Sequence, residues 1–278
     1  MILNPYRFAA GGTGYLLDDY AGATAGYSLR ELTTTSWNAG DWVIEARNNF
    51  GTTDTFTSAE VNDGTLVAFA DLGNGSATVS KWYDQSGNGN DATQAGASSQ
   101  PLIVSGGALI TDGGETSTFY NGTSMFMDCN VAHGAASAQS MMVVGNSNNL
   151  ALRSPLDARQ ANDDGLGFLL LSGINDFMRF HADATDVFTG ATSTATQYLW
   201  SGYYGSSTAT IFRDGTQTDT AAAPSAMSAN TTTYKIGRAG YVASAFWGGR
   251  ITEVIIYPDD QSANQAGIDG NITTHYGI

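Results

Sequence analysis

The stretch that decides the fold is Lys81-Trp82-Tyr83-Asp84-Gln85-Ser86-Gly87-Asn88-Gly89-Asn90-Asp91-Ala92-Thr93-Gln94. Its aromatic pair, Trp82 and Tyr83, is typical of the end of a strand. Residues 84–90 then combine Asp, Asn, Ser and Gly, which hold tight turns through local side-chain hydrogen bonds and positive φ angles. The stretch therefore predicts a strand that ends in a tight turn.

The same turn has a second interpretation as a calcium loop. Asp84, Ser86 and Asn88, followed by Gly89, have the oxygen-ligand spacing of the first half of such a loop. The twelfth position of that pattern is Ala95, where a calcium loop has a glutamate that ligates the ion with two oxygens. The pattern favours a structural turn, with bound calcium as the alternative, and we expect no other cofactor.

The composition is typical of an all-β protein. The 278 residues include 34 Gly and only 5 Pro, and 13% of them are charged. Many glycines with few charges suit short strands that are joined by tight turns. Residues 42–47 alternate in the manner of a half-buried strand, and the chain is long enough to bury a sizeable core.

The charge of the chain argues against a nucleic-acid partner, and its cysteine content excludes an intrachain disulfide. The formal net charge is −15 and the only lysines are Lys81 and Lys235, so we expect no nucleic-acid partner. Cys129 is the only cysteine, which excludes an intrachain disulfide. Residues 1–10 contain no continuous apolar run, so we expect neither a secretory signal nor membrane insertion, and therefore synthesis in a cytoplasm.

The first residues form a candidate attachment arm. Four apolar side chains precede a glycine-rich link, and these are Ile2, Leu3, Tyr6 and Phe8. We expect residues 1–14 to be an arm and linker ahead of one domain at 15–278. The arm either packs on its own domain or attaches the protein to a larger assembly, because termini fray unless they are tied down.

Turn and cap signals place the later elements. Asn121-Gly122 and Asp214-Gly215 are dipeptides that favour tight hairpin turns, since both tolerate positive φ angles. Residues 248–257 form a nearly continuous apolar run, which predicts a buried strand. Ser262 and Gln265 have the spacing of a capping box and Gly277 suits a C-terminal cap, so a helix is predicted between them.

Part of the chain resembles a known family. Residues 83–94, with Tyr27 to Leu32 and Ile44 to Arg47, resemble family 54 α-L-arabinofuranosidase catalytic domains over residues 15–104, and look still more like phage virion proteins built on that domain. Residues 105–278 resemble a laminin-G-like unit, most clearly at 234–237 and 248–257. The resemblance implies an all-β, concanavalin A-like jelly-roll β-sandwich with short peripheral helices.

The resemblance also implies two catalytic carboxylates, and the sequence lacks both at the expected places. The five glutamates are Glu31, Glu45, Glu60, Glu115 and Glu253. None lies between residues 116 and 252, where the resemblance places the nucleophile. The family's acid resembles an Asp in a Gly-Gly-Asp-Asn run, and the closest stretch here, 236–240, has no carboxylate. Because glycoside hydrolysis depends on such a pair, we expect no enzymatic activity.

The expected function is that of a non-catalytic phage virion structural protein on the particle surface, as a capsid decoration, head fibre or tail component. Its partners would be other virion proteins, further copies in a trimer, and a host surface glycan. Tyr203, Tyr241 and Trp247 are candidates for stacking on that glycan, although such aromatics equally fill a core. The alternative function is an α-L-arabinofuranosidase-like glycoside hydrolase.

Overall fold

Strands dominate the structure, which confirms the predicted all-β class. The computed structural model describes residues 14–71, 73–132, 138–148, 153–159, 166–170, 176–180, 185–190, 193–205, 208–222, 232–240 and 245–278. The helices are α1 (Leu16–Asp19), α2 (Ser58–Asn62), α3 (Thr65–Phe69) and α4 (Gln265–Tyr276), with short 3-10 turns at Ala97–Ser99 and Ser262–Asn264. No helix in these ranges has the length and apolar character needed to cross a membrane.

The strands follow one another as short segments. The first ten are β1 (Ala25–Ser28), β2 (Trp42–Asn48), β3 (Thr53–Thr57), β4 (Ala77–Trp82), β5 (Ala92–Thr93), β6 (Leu102–Ser105), β7 (Ala108–Leu109), β8 (Thr111–Asp112), β9 (Glu115–Thr116) and β10 (Thr118–Asn121). The others are β11 (Met127–Ala132), β12 (Ala138–Ser147), β13 (Arg153–Asp157), β14 (Leu166–Leu170), β15 (Asp176–Phe180), β16 (Thr185–Gly190), β17 (Tyr198–Gly205), β18 (Thr208–Arg213), β19 (Thr216–Ala222), β20 (Thr233–Ile236) and β21 (Gly248–Tyr257).

Antiparallel pairing arranges these strands in two layers of a sandwich. In the first layer β21 pairs with β1 and β10 along one edge and with β12 along the other, and β17, β18 and β19 continue outward from β12. The second layer runs β3, β2, β4, β5, β11, β20, β13, β14, β15 and β16. Strand β6 pairs with both β4 and β10 and so connects the layers.

Apolar side chains fill the space between the layers. Trp82, Trp200 and Trp247 are each at most 2% exposed and belong to this core. The rings of Trp200 and Trp247 meet edge to face with centroids 6.0 Å apart. Such a pair contributes about 0.5–1.5 kcal/mol beyond the burial of its surface. Helices α2 and α3 add Val61 and Leu66 at the margin of the same core.

Helices α1 and α4 cover the far face of the first layer. Leu16 from α1 packs with Ile268 and Ile272 from α4 in a second apolar cluster, which also contains Ile255 and Tyr257 of β21. Strand β21 is therefore buried on both faces, as its apolar run predicts. The second layer, by contrast, has one face toward the core and an outer face that carries polar side chains.

Two predicted local features differ in the structure. Asn121-Gly122 does not close a hairpin, because β10 pairs in the first layer whereas β11 pairs with β5 and β20 in the second. Helix α4 begins at Gln265 after a 3-10 turn, and its N-cap residue makes no side-chain capping bond, so the predicted capping box at Ser262 is wrong. The cap at Gly277 is confirmed, since its φ is 71°.

The hairpin at Asp214-Gly215 is confirmed. Arg213 pairs with Thr216 across this two-residue loop, which joins β18 to β19. Both loop residues have positive φ, 51° for Asp214 and 74° for Gly215. That backbone twist matches the right-handed twist of the flanking strands.

Candidate functional site

A row of charged side chains crosses the outer face of the second layer. Six residues stand directly opposite one another in the registers of neighbouring strands, and they define the charge row: Glu45, Lys81, Thr93, Asp128, Lys235 and Asp157. Because directly paired residues of a sheet project to the same side, these side chains share one face. The row places carboxylates and ammonium groups next to each other across β2, β4, β5, β11, β20 and β13.

The neighbours of these residues show which face this is. Side chains alternate along a strand, so residues next to a row member project the opposite way. Those neighbours belong to the core between the layers, and they are Ile44, Trp82, Ala92, Cys129, Ile236 and Leu156. The charge row therefore lies on the outer face, where the described helices do not cover it.

Lys235 is the cation at the centre of the row. Its Nζ lies 2.5 Å from Asp128 Oδ1 and donates to Thr233 Oγ1 at 2.9 Å. The side chain of Asp128 is 45% exposed and that of Lys235 is 14% exposed, so the Asp128 carboxylate is open to solvent. Such an exposed pair adds little to stability, typically below about 1 kcal/mol. The ion pair instead fixes the orientation of the Asp128 carboxylate.

Asp157 lies on the other side of Lys235 and is completely buried. The Arg159 guanidinium bonds both of its carboxylate oxygens, with Arg159 Nη2 2.6 Å from Oδ2. The backbone N–H of Arg159 also donates to Oδ1 at 2.7 Å. Burial raises the pKa of Asp157 above its ordinary value, although the charge and hydrogen bonds of Arg159 act in the opposite direction. The outer face thus holds two carboxyl groups in different environments.

The register fixes the spacing of these two carboxyl groups. Asp128 and Asp157 both pair directly with Lys235, one from each side. Neighbouring strands lie about 4.8 Å apart, so the two Cα atoms are roughly 9–10 Å apart. This wide spacing, with the Lys235 side chain between the two carboxyl groups, is closer to that of inverting glycosidases than to the separation of about 5–5.5 Å in retaining ones.

An arginine and two phenylalanines lie at one end of the outer face. The guanidinium of Arg238 stacks over the Phe126 ring, 3.9 Å from its centroid. The Phe246 ring lies 6.2 Å from that of Phe126 in a tilted arrangement. All three side chains are half-buried. Since Phe126 precedes Asp128 by two residues, this aromatic end lies next to the charge row.

A groove of about 510 Å³ lies elsewhere, between α1 and the tight turn at residues 84–90, which we call the anchor turn. Its lining includes Trp37, Asp18 and the hydroxyls of residues 33–36. Asp18 accepts hydrogen bonds from Thr33 Oγ1 and from the backbone and hydroxyl of Thr34, so its carboxylate is engaged in local structure. With one carboxylate in its lining, the groove lacks the pair that glycoside hydrolysis needs.

The structure places the predicted glycan-stacking residues inside the protein or outside the described ranges. Trp247 is completely buried, and Tyr203 is 2% exposed and donates its hydroxyl to Asp269 Oδ1 at 2.9 Å. Neither ring face is open to a sugar in this conformation. Tyr241 lies outside the described residues, as do all four residues of the predicted arm, Ile2, Leu3, Tyr6 and Phe8. The predicted glycan contact and trimer stay predictions.

The anchor turn has the geometry of the structural alternative. Asp84 accepts four hydrogen bonds, from the backbone N–H groups of Gly26, Ser86 and Asn90 and from the Ser86 hydroxyl, at 2.8–3.0 Å. Asn88 Nδ2 donates to the carbonyl of Ala23. These side chains join β4 to β1. Among the described residues no group of three or more His, Cys, Asp or Glu side chains is arranged to hold a metal ion.

The comparisons with known proteins identify a fold. No protein family model matches the sequence, and no curated protein matches it. Among solved structures, a GH54 α-L-arabinofuranosidase soaked with a cyclic sulfate inhibitor matches with a TM-score of 0.65 and 14% identity. An arabinofuranosidase complexed with arabinofuranosyl-α-1,2-xylobiose matches with a TM-score of 0.65 and 15% identity. Each match covers 92% of this chain and 64% of that chain.

A more distant likeness involves another glycoside hydrolase. A Trypanosoma rangeli sialidase in complex with 2,3-difluorosialic acid matches with a TM-score of 0.50 and 13% identity, over 70% of this chain and 31% of that chain. At these identities the likenesses establish the sandwich fold of the chain and not its activity. The chain spans less than two thirds of the arabinofuranosidases that it matches.

Two expectations are contradicted by these findings. We expected a non-catalytic phage virion structural protein and no enzymatic activity, whereas the solved structures that share the fold over 92% of the chain are arabinofuranosidases. The expectation depended on glutamates missing from particular sequence positions. The structure instead brings two aspartates, Asp128 and Asp157, to one face of the sheet. Strand alternation around residues 127–131 is the sequence signal that points Asp128 away from the core.

Proposed function

We propose that the protein is an α-L-arabinofuranosidase-like glycoside hydrolase whose active site lies on the outer face of the second layer. One observation carries the proposal: two carboxyl groups, one exposed and one buried, flank Lys235 in the charge row. A glycoside hydrolase needs two such groups, one to donate a proton and one to act as a base or nucleophile. The fold shared with arabinofuranosidases supports the choice of substrate class.

The environments of the two aspartates assign their roles. Asp157 is the proposed proton donor, because burial raises its pKa. It is completely buried and both of its oxygens accept hydrogen bonds from Arg159 in this conformation, so donation to a substrate requires the Arg159 contact to open. Asp128 is the general base, because its carboxylate is exposed and held by the Lys235 ammonium group. A water molecule bound to Asp128 attacks the anomeric carbon and gives its proton to Asp128, while Asp157 protonates the leaving oxygen. Arg159 is a positioning residue that fixes the orientation of Asp157.

Hydrolysis of 4-nitrophenyl α-L-arabinofuranoside tests the proposal directly. The wild-type protein should release nitrophenol, and Asp128→Asn and Asp157→Asn should each lower kcat by a factor of at least about 100, since each removes one member of the acid–base pair. Glu45→Gln is the matched control, because Glu45 is a carboxylate of the same charge row four strands away from Lys235. The control should retain wild-type activity.

The stereochemistry of the product is a second readout. The spacing of Asp128 and Asp157 predicts inversion at the anomeric carbon, which proton NMR of the first-formed arabinose detects. Retention would contradict the wide spacing of the two carboxyl groups. Absence of hydrolysis on a panel of nitrophenyl arabinofuranosides and other glycosides, or full activity in both asparagine variants, would contradict the function itself.

A further inference from the structure

Among the residues that the structure describes, Arg238 has no anionic partner. No described carboxylate lies within ion-pair distance of its guanidinium, and its Nε is shielded from solvent without a hydrogen-bond partner. Arg47, Arg153 and Arg250 share a shielded Nε without a partner, whereas Arg30, Lys81, Arg159 and Lys235 pair with carboxylates. Arg238 differs from the first three in its contact with the Phe126 ring beside the charge row. A shielded donor without a partner is destabilising, and more so when it is charged.

Arg238 is half-buried, and its guanidinium contacts one aromatic ring. Stacking on Phe126 occupies one face of the planar guanidinium. The in-plane N–H groups point along the edge of that plane, where a carboxylate binds with two parallel hydrogen bonds. The Phe246 ring beside Phe126 adds an apolar surface on which the C–H face of a sugar ring can pack.

The backbone holds this group next to the charge row. Gly237, directly before Arg238, donates its N–H to the carbonyl of Pro155 in β13 and accepts from the N–H of Trp247. Gly240 packs on Arg159, and a Cβ at this position would lie 2.5 Å from the Arg159 carbonyl oxygen. The segment that carries Arg238 is therefore seated against the strand that supplies Asp157.

We propose that Arg238, with Phe126 and Phe246, binds a uronosyl residue, a sugar with a carboxylate, next to the scissile bond. The inference rests on the proposed function for its position in the substrate. Arg238 supplies the paired hydrogen bonds to the carboxylate and the phenylalanine rings supply the apolar contact. Arg238 thus determines specificity and takes no part in the chemical step.

The net charge limits the kind of acidic substrate. At −15 the protein repels a polymer that carries a charge on every sugar. A single carboxylate in an otherwise neutral oligosaccharide is attracted by Arg238 at contact distance. The acidic residues of the protein that lie further away are screened beyond about 8 Å at physiological salt. The ligand class is therefore a neutral oligosaccharide with one uronosyl substituent.

Calorimetric titration tests the inference without relying on turnover. The probes are xylotetraose and xylotetraose with one glucuronosyl substituent, titrated into the wild-type protein and into Asp128→Asn. We expect the acidic probe to bind at least about tenfold more tightly than the neutral probe, as a charge-assisted bidentate contact provides. Arg238→Gln should remove that preference, and Arg238→Lys should remove most of it because lysine lacks the planar fork.

Arg47→Gln is the matched control. Arg47 on β2 donates to the Gly51 carbonyl, has no carboxylate partner among the described residues and shares with Arg238 a shielded Nε without a partner, so the control removes the same charge at a distant place. It should keep the preference for the acidic probe. Equal affinities of both probes for the wild type, retention of the preference in a folded Arg238→Gln protein, or an equal loss in Arg47→Gln would overturn the inference.

Two further measurements separate the possible outcomes. Inorganic sulfate should displace the acidic probe weakly, because it lacks a ring for Phe246, and displacement as effective as that by methyl glucuronide would also overturn the inference. If no glycoside is hydrolysed but the Arg238-dependent preference is found, the proposed function fails and the binding site stands. If hydrolysis occurs without that preference, the proposed function stands and the uronosyl-binding site fails.

Discussion

Replacing Glu253 by glutamine should destabilise the protein strongly at neutral pH. Glu253 is 1% exposed and accepts hydrogen bonds from Arg30 Nε at 2.8 Å, Arg30 Nη2 at 3.0 Å, Ser28 Oγ at 2.8 Å and the Tyr276 hydroxyl at 3.0 Å. These contacts join β1, β21 and α4. Glutamine keeps the size of the side chain but leaves the Arg30 guanidinium, whose side chain is 14% exposed, without a counter-charge.

Removing one partner of a buried ion pair costs about 3–5 kcal/mol. We take the lower limit, about 3 kcal/mol, because Arg30 retains some exposure. For a chain of this size 1 kcal/mol corresponds to about 2–4 °C, so Glu253→Gln should lower Tm by about 6–12 °C. Glu115→Gln, at an exposed glutamate, should change Tm by less than about 2 °C and serves as the control.

The pH dependence distinguishes this charge pair from simple packing. Burial on its own would raise the pKa of Glu253, but the charge and hydrogen bonds of Arg30, with Ser28 and Tyr276, outweigh it and hold that pKa below its usual value. A depressed carboxyl pKa stabilises the fold above the unfolded-state value of about 4.3, and the stabilisation is lost as pH falls through the folded-state pKa.

Urea unfolding of Glu253→Gln and the wild type at several pH values measures both effects. The difference in unfolding free energy should be largest near pH 7 and should shrink below about pH 4.3. Replacing Glu253 and Arg30 together by Leu and Met should cost less than Glu253→Gln alone, because no buried charge is left unpaired. A Glu253→Gln shift no larger than that of Glu115→Gln, or a difference that is the same at pH 7 and pH 3.5, would refute this reasoning.

Three further predictions concern buried polar groups. Asp84→Ala removes the acceptor of four hydrogen bonds, so it should lower Tm equally in calcium and in chelator; a wild-type Tm that falls with chelator would identify a calcium site. Burial raises the pKa of Asp112, so its ionised form opposes folding at neutral pH. Asp112→Asn should therefore raise the urea midpoint at pH 7, with a gain that shrinks as pH falls through the raised folded-state pKa and is absent below about pH 3.9, and a lower midpoint would contradict this. Burial raises the pKa of the Cys129 thiol to about 12, so an aromatic disulfide reagent should label it only after unfolding; rapid labelling of the native protein would refute its burial.

Features of the fold that depend on neighbouring residues were predictable from the sequence. The apolar run at 248–257 predicts a strand buried on both faces, and β21 is one. Asp214-Gly215 predicts a tight hairpin because those two residue types tolerate the φ angles it needs. Asn121-Gly122 carries an equally strong local signal and yet leads from one layer to the other. The difference lies in the partners, since Thr118–Asn121 pairs with Gly248–Ile251 across the sequence.

The candidate site was not predictable because strand register assembles it. Asp128 and Asp157 belong to no local motif, and each alternates with core residues on a short strand, Asp128 half-exposed and Asp157 buried against Arg159. Only their shared pairing with Lys235 brings them to one place. Missing glutamates were taken as missing chemistry, although aspartates on neighbouring strands can present the same functional group. Burial of Tyr203 and Trp247 likewise depends on tertiary packing, which the sequence of a strand end does not reveal.

The position of β21 in the first layer has a consequence for the order of synthesis. Strands β1, β10 and β12 all take β21 as a partner, and Ala25 meets Ile256 only after more than 200 further residues have been made. During synthesis on the ribosome, the edges of these three strands that pair with β21 therefore lack their partner, and their apolar faces stay uncovered until β21 has been made. Long-range pairing of this kind folds slowly and exposes the nascent chain to aggregation. Chains that terminate before Gly248 should accumulate as insoluble material, whereas the full chain folds once its last strand is released.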